Sequence, residues 1–424
     1  MSARATLVIG MEKSGLASVE FLIEHGARVT AADMRPLDQI PKAGEALALW
    51  HVPFHLQSEI QFADFDLIVL SPGVPSDLPG LSGRNVIGEV ELAVPDLQGP
   101  TIGITGTNGK TTTTAMVAHI LRTAGVPAQV GGNIGTPVTA MTKSSRPDQW
   151  NVLELSSFQL ETIRTFRANV GVCLNVTQNH LDRHHTLENY ASAKSNLFRT
   201  QSADDFAVLN ESDPECARFA ALTRGTVVWF NRTRLPVNGL PVRGQHNIEN
   251  AMAAAAAARL AGVKETAIAE ALNSFRAVEH RLEFVRNVSG VDFYNDSKAT
   301  SVDATLKALE SFSGGLWAIL GGKDKGSDYT SLRAPLKAKA RAALLIGKAA
   351  RKIGEDLGNA VPLIASGTLD NAVREAYRQA APGDTVLLAP ACASFDQFQS
   401  FEHRGRAFKE LVMALNPKSH GTTT

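Results

Sequence analysis

The hydrophobic pattern changes period along the chain in a regular way. Short, nearly continuous apolar runs alternate with longer stretches whose apolar residues recur at helical spacing. Thr6-Leu-Val-Ile-Gly10, Arg28-Val-Thr-Ala-Ala-Asp33 and Asp66-Leu-Ile-Val-Leu70 are runs of the first kind, and a helical stretch through about His25 separates the first two. Thr101-Ile-Gly-Ile-Thr105, Trp150-Asn-Val-Leu-Glu-Leu-Ser156 and Val170-Gly-Val-Cys-Leu-Asn-Val176 follow, then Gly315 to Gly322, Ala342 to Gly347 and Asp384 to Ala389. Such runs, bounded by turn residues, predict strands buried on both faces. Helices between them predict parallel sheets covered on both sides. The chain reads as three α/β units over residues 1–98, 99–278 and 279–424. A hairpin from Phe284 to Tyr294, turning near Val288-Ser-Gly290, opens the third unit. Its last helix is expected to start in Pro390-Ala-Cys-Ala-Ser394, with Phe395, Phe398, Phe401 and Phe408 forming a core stripe.

Candidate chemistry begins at Gly106-Thr-Asn-Gly-Lys-Thr-Thr112, between the strand at Thr101 and a helical pattern to about Ala124. A strand, a glycine-bearing loop and a helix in this order bind nucleotide phosphates. Backbone N–H groups from Gly106 through Thr107, Asn108 and Gly109 to Lys110 can converge on an anion, and the helix N-terminus adds partial positive charge. Lys110 is expected on the β- and γ-phosphates and the Thr111 hydroxyl on Mg²⁺. Ile104 stands where the longer phosphate-loop pattern has its first glycine, so the loop is a short variant that specifies a nucleotide and no particular reaction.

Other loops fall at strand ends. Met11-Glu-Lys-Ser-Gly15 opens the first helix, and Asp33 ends the next strand, placed to accept from a ribose or a uracil. Glu12 occupies the middle-glycine position of the dinucleotide fingerprint. A carboxylate there repels a close pyrophosphate, so NAD is not expected. Ser71-Pro-Gly73 follows a third strand. In the middle unit Glu154 and His180 sit near strand ends of the phosphate-loop sheet, where a second metal or a polarising group is needed. Asn247 and Asn250, in the first turn of an alanine-rich helix, either present amides to a nucleotide or cap that helix. Lys323 and Lys325 follow the paired glycines Gly321 and Gly322.

Bulk properties narrow the classes. At 424 residues the chain exceeds one ordinary core. Net charge is zero, so no global field recruits nucleic acid or a membrane surface, and anion binding must be local. The three cysteines lack metal-ligand or redox-pair spacing, which fits a reducing cytoplasm. No apolar run has membrane-spanning length, and no signal peptide is expected.

Taken together, Gly106 to Thr111, Glu154-Leu-Ser-Ser-Phe-Gln159, Asn175-Val-Thr-Gln-Asn-His-Leu-Asp182, Gln245-His-Asn247, His280-Arg281, Asn295-Asp-Ser-Lys-Ala-Thr300 and Pro390 to Phe398 resemble the Mur ligases. The resemblance runs in order over nearly the whole chain. It implies a fold of three α/β domains: a Rossmann-like N-terminal domain, a central domain of P-loop ATPase type with a mixed or parallel sheet, and a Rossmann-like doubly wound C-terminal domain. The last two motifs point to the members that add D-glutamate to UDP-N-acetylmuramoyl-L-alanine, with ATP as co-substrate and two Mg²⁺ ions. No Asp-Asn-Pro-Arg or -Lys signature of the diamino-acid enzymes is present. A cytoplasmic monomer acting on small molecules, with no nucleic-acid or membrane partner, is expected.

The resemblance also assigns residues. Gly106 to Thr112 and Lys110 would hold the ATP phosphates, with Thr111 on the first Mg²⁺. Glu154 and His180 match second-metal positions, and Lys194 matches the lysine that the family carbamylates. Asn247, Asn250, Arg281 and Asp296 match ATP contacts, and Asn133 matches an asparagine near the reacting phosphate on the UDP-sugar side. Lys13, Ser14, Asp33, Arg35 and Ser71 correspond to the uridine-diphosphate site. Lys298, Thr300, Lys325, Ser394 and Phe401 match the D-glutamate site, with Lys323 the other choice for Lys325. Sister Mur ligases, folylpolyglutamate synthase and a non-catalytic nucleotide-binding switch are the alternatives. Lys110→Ala should abolish turnover, measured as phosphate release, and near-wild-type rates would overturn the phosphate-loop assignment.

Overall fold

The computed structural model describes residues 5–237, 240–241, 245–276, 278–324 and 326–417, without the side chain of residue 182. The chain forms two compact units, Met1–Gly239 with Glu249–Asn273, and Leu240–Ile248 with Ser274–Thr424. The first unit contains two sheets. One has five parallel strands in the order Phe54–Leu56, Arg28–Asp33, Ala5–Ile9, Leu67–Leu70, Val86–Gly88. The strand order reverses on either side of Ala5–Ile9, which opens a crevice at the carboxyl ends of that strand and Leu67–Leu70. The turn there is tight: a Cβ on Gly15 would sit 1.8 Å from the Gly10 carbonyl oxygen, so only glycine fits.

The other sheet has six parallel strands, Thr226–Trp229, Phe206–Leu209, Val170–Cys173, Thr101–Thr105, Trp150–Glu154 and Ala128–Gly132. Thr101–Thr105 lies between Val170–Cys173 and Trp150–Glu154, with Thr105 opposite Cys173 and Ile104 opposite Glu154. This register brings the phosphate loop, Glu154 and the segment after Cys173 to one edge. The four inner strands are buried on both faces, as their unbroken apolar runs require, while the edge strands Thr226–Trp229 and Ala128–Gly132 are half-buried.

In the second unit the strand order is Glu283–Val288, Val291–Asn295, Thr385–Leu388, Leu316–Gly321, Ala340–Ile346, Leu363–Gly367. The first two strands form the expected antiparallel hairpin, and the other pairings are parallel. Thr385–Leu388 sits between Val291–Asn295 and Leu316–Gly321, so the loops after these three strands share one carboxyl edge.

The final helix differs from expectation. It spans Phe401–Met413 and is capped by the Ser400 hydroxyl, which accepts from the His403 N–H at 3.2 Å. The stretch from Pro390 to Ser400 is loop, with Ala391 at φ 59°. Phe395 is therefore 67% exposed and not core, whereas Phe408, on the helix, is fully buried.

The short helix Glu89–Ala93 fastens the first sheet to the second through two carboxylates. Glu89 accepts from the Thr139 N–H at 2.6 Å and the Thr139 hydroxyl at 2.9 Å. Glu91 accepts from the N–H groups of Arg164, Thr165 and Phe166. Burial pushes the Glu89 carboxyl up to about 7 against the pull of the Thr139 hydrogen bonds. Its folded value thus lies above the unfolded one. Stability from this group is full below about pH 4.3 and falls as pH rises toward 7, by on the order of 3 kcal/mol. Glu89→Gln should remove this dependence. The Tm difference between variant and wild type should grow from pH 5 to pH 8, and a pH-independent difference would mean that Glu89 is ionised throughout.

Candidate active site

The phosphate loop is held open from behind. The Thr107 N–H donates to the Asn175 carbonyl and the Asn108 N–H to the Asn175 side chain, both at 2.8 Å. Gly106 (φ 147°) and Gly109 (φ 85°) adopt backbone conformations that favour glycine. Lys110 begins the helix Lys110–Thr123, and its ammonium curls back to the carbonyls of Gly106 and Thr107, 2.9 Å from each. Thr111 and Thr112 are buried in the first turn. Asn250 lies against the loop, since a Cβ on Gly109 would come within 2.3 Å of its amide oxygen.

Lys194, on the helix Leu187–Arg199, donates to the same Gly106 carbonyl at 2.9 Å. Its ammonium lies 4.3 Å from the centre of the Tyr190 ring. Burial, reinforced by the charge of Lys110, pulls Lys194 down to about 7. The Lys194 residue is 1% exposed, so its ammonium is held inside the protein and away from bulk water.

Glu154 is 2% exposed. One carboxylate oxygen accepts from the Asn133 amide at 2.8 Å, and the Asn133 N–H donates to the Glu154 carbonyl at 2.8 Å. The other oxygen is buried with no hydrogen-bond partner among the described residues. His180 is exposed, at φ 54°, with its ring 5.0 Å from that of Phe158 in an edge contact. Among the described residues no three His, Cys, Asp or Glu side chains converge to hold a metal. Mg²⁺ takes few protein ligands and fills its shell with water and phosphate oxygens. The unpaired Glu154 oxygen and the Thr111 hydroxyl fit an ion of that kind.

A cavity of about 480 Å³ opens between the loops of the two sheets. Lys13, Ser14, Asp33, Arg35 and Ser71 line it from the first sheet and Asn133 from the second. Asp33 accepts from the Met11 N–H at 2.7 Å and from the Arg35 N–H and side chain. Burial raises its pKa, but the Arg35 and Met11 contacts outweigh that and hold it below the usual carboxylate range. Glu12 also lines the cavity, and its carboxylate pairs with Arg35 at 2.9 Å, so its charge is met by a guanidinium. Gln159 lines the cavity too and is absent from the sequence-derived site. Its oxygen accepts from the Ser156 N–H at 3.0 Å, and its amide nitrogen is buried without a partner among the described residues. Its signal was its place at the end of the Glu154–Gln159 motif.

In the second unit Asp296 accepts from the Leu282 N–H at 3.2 Å, and burial pushes its carboxyl up to about 6 against the pull of Arg281. The Arg281 Nε is buried without a hydrogen-bond partner among the described residues. Lys298, whose ammonium lies 5.8 Å from the Phe401 ring centre, Thr300 and Ser394 occupy adjoining loops at one sheet edge. Arg404, another residue missed in the sequence, ties these loops together. It is 1% exposed and donates to the Ser297 hydroxyl and carbonyl and to the carbonyls of Cys392 and Ala393. Lys323 pairs across to Ala393, its N–H donating to that carbonyl at 2.8 Å, while Lys325 lies outside the described residues. Asn247 is buried.

Parallel sheets with a phosphate loop at the edge of one, beside a cavity with a carboxylate–arginine pair, define a nucleotide-binding protein of the three-domain α/β class. The chain belongs to the Mur ligase family, in its MurD-like branch. Residues 4–88 match the Mur ligase MurD-like N-terminal domain, 104–234 the Mur ligase middle domain, and 280–392 the Mur ligase glutamate ligase domain. The UDP-N-acetylmuramoylalanine–D-glutamate ligase of Solibacter usitatus is 62% identical over 97% of this chain and 98% of its own. That of Acidobacterium capsulatum is 48% identical over 98% and 97%. Two solved structures share the fold at 18% identity, each over 97% of this chain and 99% of its own. They are the UDP-N-acetylmuramate-alanine ligase of Thermotoga maritima (TM-score 0.59) and a pseudomurein peptide ligase type C of Methanothermus fervidus (TM-score 0.58).

The clash built into Gly109 gives a direct check. Gly109→Ala should weaken ATP binding by about tenfold or more while leaving the protein folded, because the methyl meets Asn250 and the backbone is left-handed. Calorimetric titration with ATP measures it, and unchanged affinity would show that the loop tolerates a Cβ.

Proposed function

We propose that this protein joins D-glutamate to UDP-N-acetylmuramoyl-L-alanine at the expense of ATP, releasing ADP and phosphate, in peptidoglycan precursor synthesis. Asn133 carries the reading: it lines the 480 Å³ cavity and donates to Glu154, whose strand neighbours that of the phosphate loop. One side chain thus connects the cavity for a UDP-sugar to the edge where ATP phosphates would lie. The same reading makes the enzyme a cytoplasmic monomer with domain boundaries near 98 and 278. No helix among the described residues is long and apolar enough to cross a membrane.

The alanyl carboxylate attacks the γ-phosphorus of ATP, ADP leaves, and an acyl phosphate forms. The neutral amine of D-glutamate then adds to the acyl carbon, and the tetrahedral intermediate collapses with loss of phosphate and a proton to give the amide. Lys110 and the loop N–H groups from Gly106 to Thr112 neutralise and orient the phosphates. Two Mg²⁺ ions, held by Thr111, Glu154, His180 and a carbamylated Lys194, would supply charge neutralisation at the phosphoryl oxygens. Lys194 suits carbamylation because an amine titrating near 7 is partly neutral at physiological pH, as addition to carbon dioxide requires.

Asp33, Arg35, Ser71, Lys13 and Ser14 hold the uridine diphosphate. Arg35 is shared between Asp33 and Glu12, so Glu12 need not repel the diphosphate. Asn247, Asn250, Arg281 and Asp296 bind ATP. Lys298, Thr300, Ser394, Phe401 and either Lys325 or Lys323 hold the two carboxylates of D-glutamate, where correct orientation replaces a large entropic barrier.

Phosphate release from ATP with UDP-N-acetylmuramoyl-L-alanine should require D-glutamate, with L-glutamate, lysine and diaminopimelate inactive. Release with another acceptor would reassign the protein to a sister ligase. ATP binding with no release for any acceptor would favour a nucleotide-binding switch.

A further inference from the structure

We propose that Glu161 is a positioning residue that couples the cavity wall at Val74 to the aromatic platform beneath His180 and Lys194. This rests on the function proposed above for its kinetic part and on geometry alone for its structural part. Glu161 directly follows the short helix Ser157–Leu160. One carboxylate oxygen accepts from the Ser76 hydroxyl at 3.1 Å and from the Arg183 guanidinium at 3.0 Å. The same Arg183 nitrogen donates to the Val74 carbonyl at 2.9 Å, and Val74 lines the large cavity. The other carboxylate oxygen faces His184 Nδ1 at 3.1 Å, and His184 Nε2 shares a 2.9 Å hydrogen bond with the Ser157 hydroxyl.

The Ser157, His184 and Glu161 side chains are thus in line like a hydrolytic triad. Ser157 is 2% exposed, however, and offers no nucleophile to a substrate. The line does mechanical work instead. His184 stacks on Phe158 with ring centres 5.3 Å apart and planes inclined by 12°, and Arg183 covers Phe158 at 4.7 Å. Phe158 in turn touches His180, while Tyr190 contacts His184 at 5.1 Å and lies under the Lys194 ammonium. His180 and His185 flank the four-residue helix Leu181–His184, both at positive φ (54° and 65°). Non-glycine residues hold such conformations only when their surroundings over-determine them. Glu161 grips the two residues between them that do so. Removing a partner from a largely buried ion pair strands the other charge, so a neutral isostere is the informative change.

Glu161→Gln keeps one acceptor and loses the second. It should raise the KM for UDP-N-acetylmuramoyl-L-alanine and lower kcat by about tenfold each, leaving the KM for D-glutamate within about twofold. Amide hydrogen exchange on the full-length protein should quicken together in residues 73–78 and 177–186, with 106–110 unchanged. Ser76→Ala, which deletes one hydrogen bond and no charge, should raise only the KM for the UDP-sugar, by a few fold. Kinetics of Glu161→Gln within about twofold of wild type, or exchange that quickens in one segment alone, would overturn the coupling. If Glu161→Gln lowers Tm and loosens every segment, the decision passes to Ser76→Ala, and an unchanged KM there overturns it as well. Should wild type release no phosphate with this substrate pair, the proposed function fails, while the exchange comparison still decides the linkage.

Discussion

Two ammonium groups, Lys110 and Lys194, converge on the single carbonyl of Gly106. Burial pulls the Lys194 ammonium down to about 7, and repulsion from the Lys110 charge adds to that shift. An anion between them relieves that repulsion, as does chemical conversion of one amine to a negative group. Much of the surrounding architecture serves this arrangement. The parallel register puts the loop, Glu154 and Asn175 at one edge. Asn175 braces the loop from below, and Tyr190 offers the face of its ring to the Lys194 charge.

The cavity next to it is built on the same principle of shared charge. Arg35 is divided between Asp33 and Glu12, and Asn133 between the cavity and Glu154. In the second unit Arg404 plays the corresponding part with three carbonyls and the Ser297 hydroxyl, and burial brings its guanidinium down to about 10. Each of these side chains spans two loops, so the loops' geometry is set by donors and acceptors rather than by apolar packing.

Local pattern made much of this legible. Apolar runs located most inner strands to within a few residues, because burial on both faces leaves an unbroken hydrophobic stretch, whereas half-exposed edge strands such as Phe54–Leu56, Thr226–Trp229 and Leu363–Gly367 went unread. The phosphate loop was legible because its chemistry needs neighbours in sequence. Contacts between distant segments were not. Glu12 read as a repulsive charge until Arg35, from another strand end, was found beside it. Helical spacing of phenylalanines suggested a helix from Pro390. Yet the backbone at Ala391 and the Ser400 cap delay it to Phe401, and the periodicity of Phe395 and Phe398 belongs to a loop. Glu161 and Arg404 carry no signal of their own, since polar residues mark a site only once their partners are known, and Gln159 was marked only by the motif that it ends.

The two carboxylates of the helix Glu89–Ala93 bear on the order in which the molecule assembles on the ribosome. Glu89 waits 50 positions for Thr139, and Glu91 waits 73 to 75 positions for the amides of Arg164, Thr165 and Phe166. A nascent chain that has completed its first sheet therefore exposes two acidic side chains whose partners have not yet been synthesised. They stay hydrated until three of the six strands of the second sheet, through Trp150–Glu154, have been made. Charge held in water through that interval keeps the early intermediate soluble, and its later capture makes the docking of the two sheets a late, coupled event in vectorial folding.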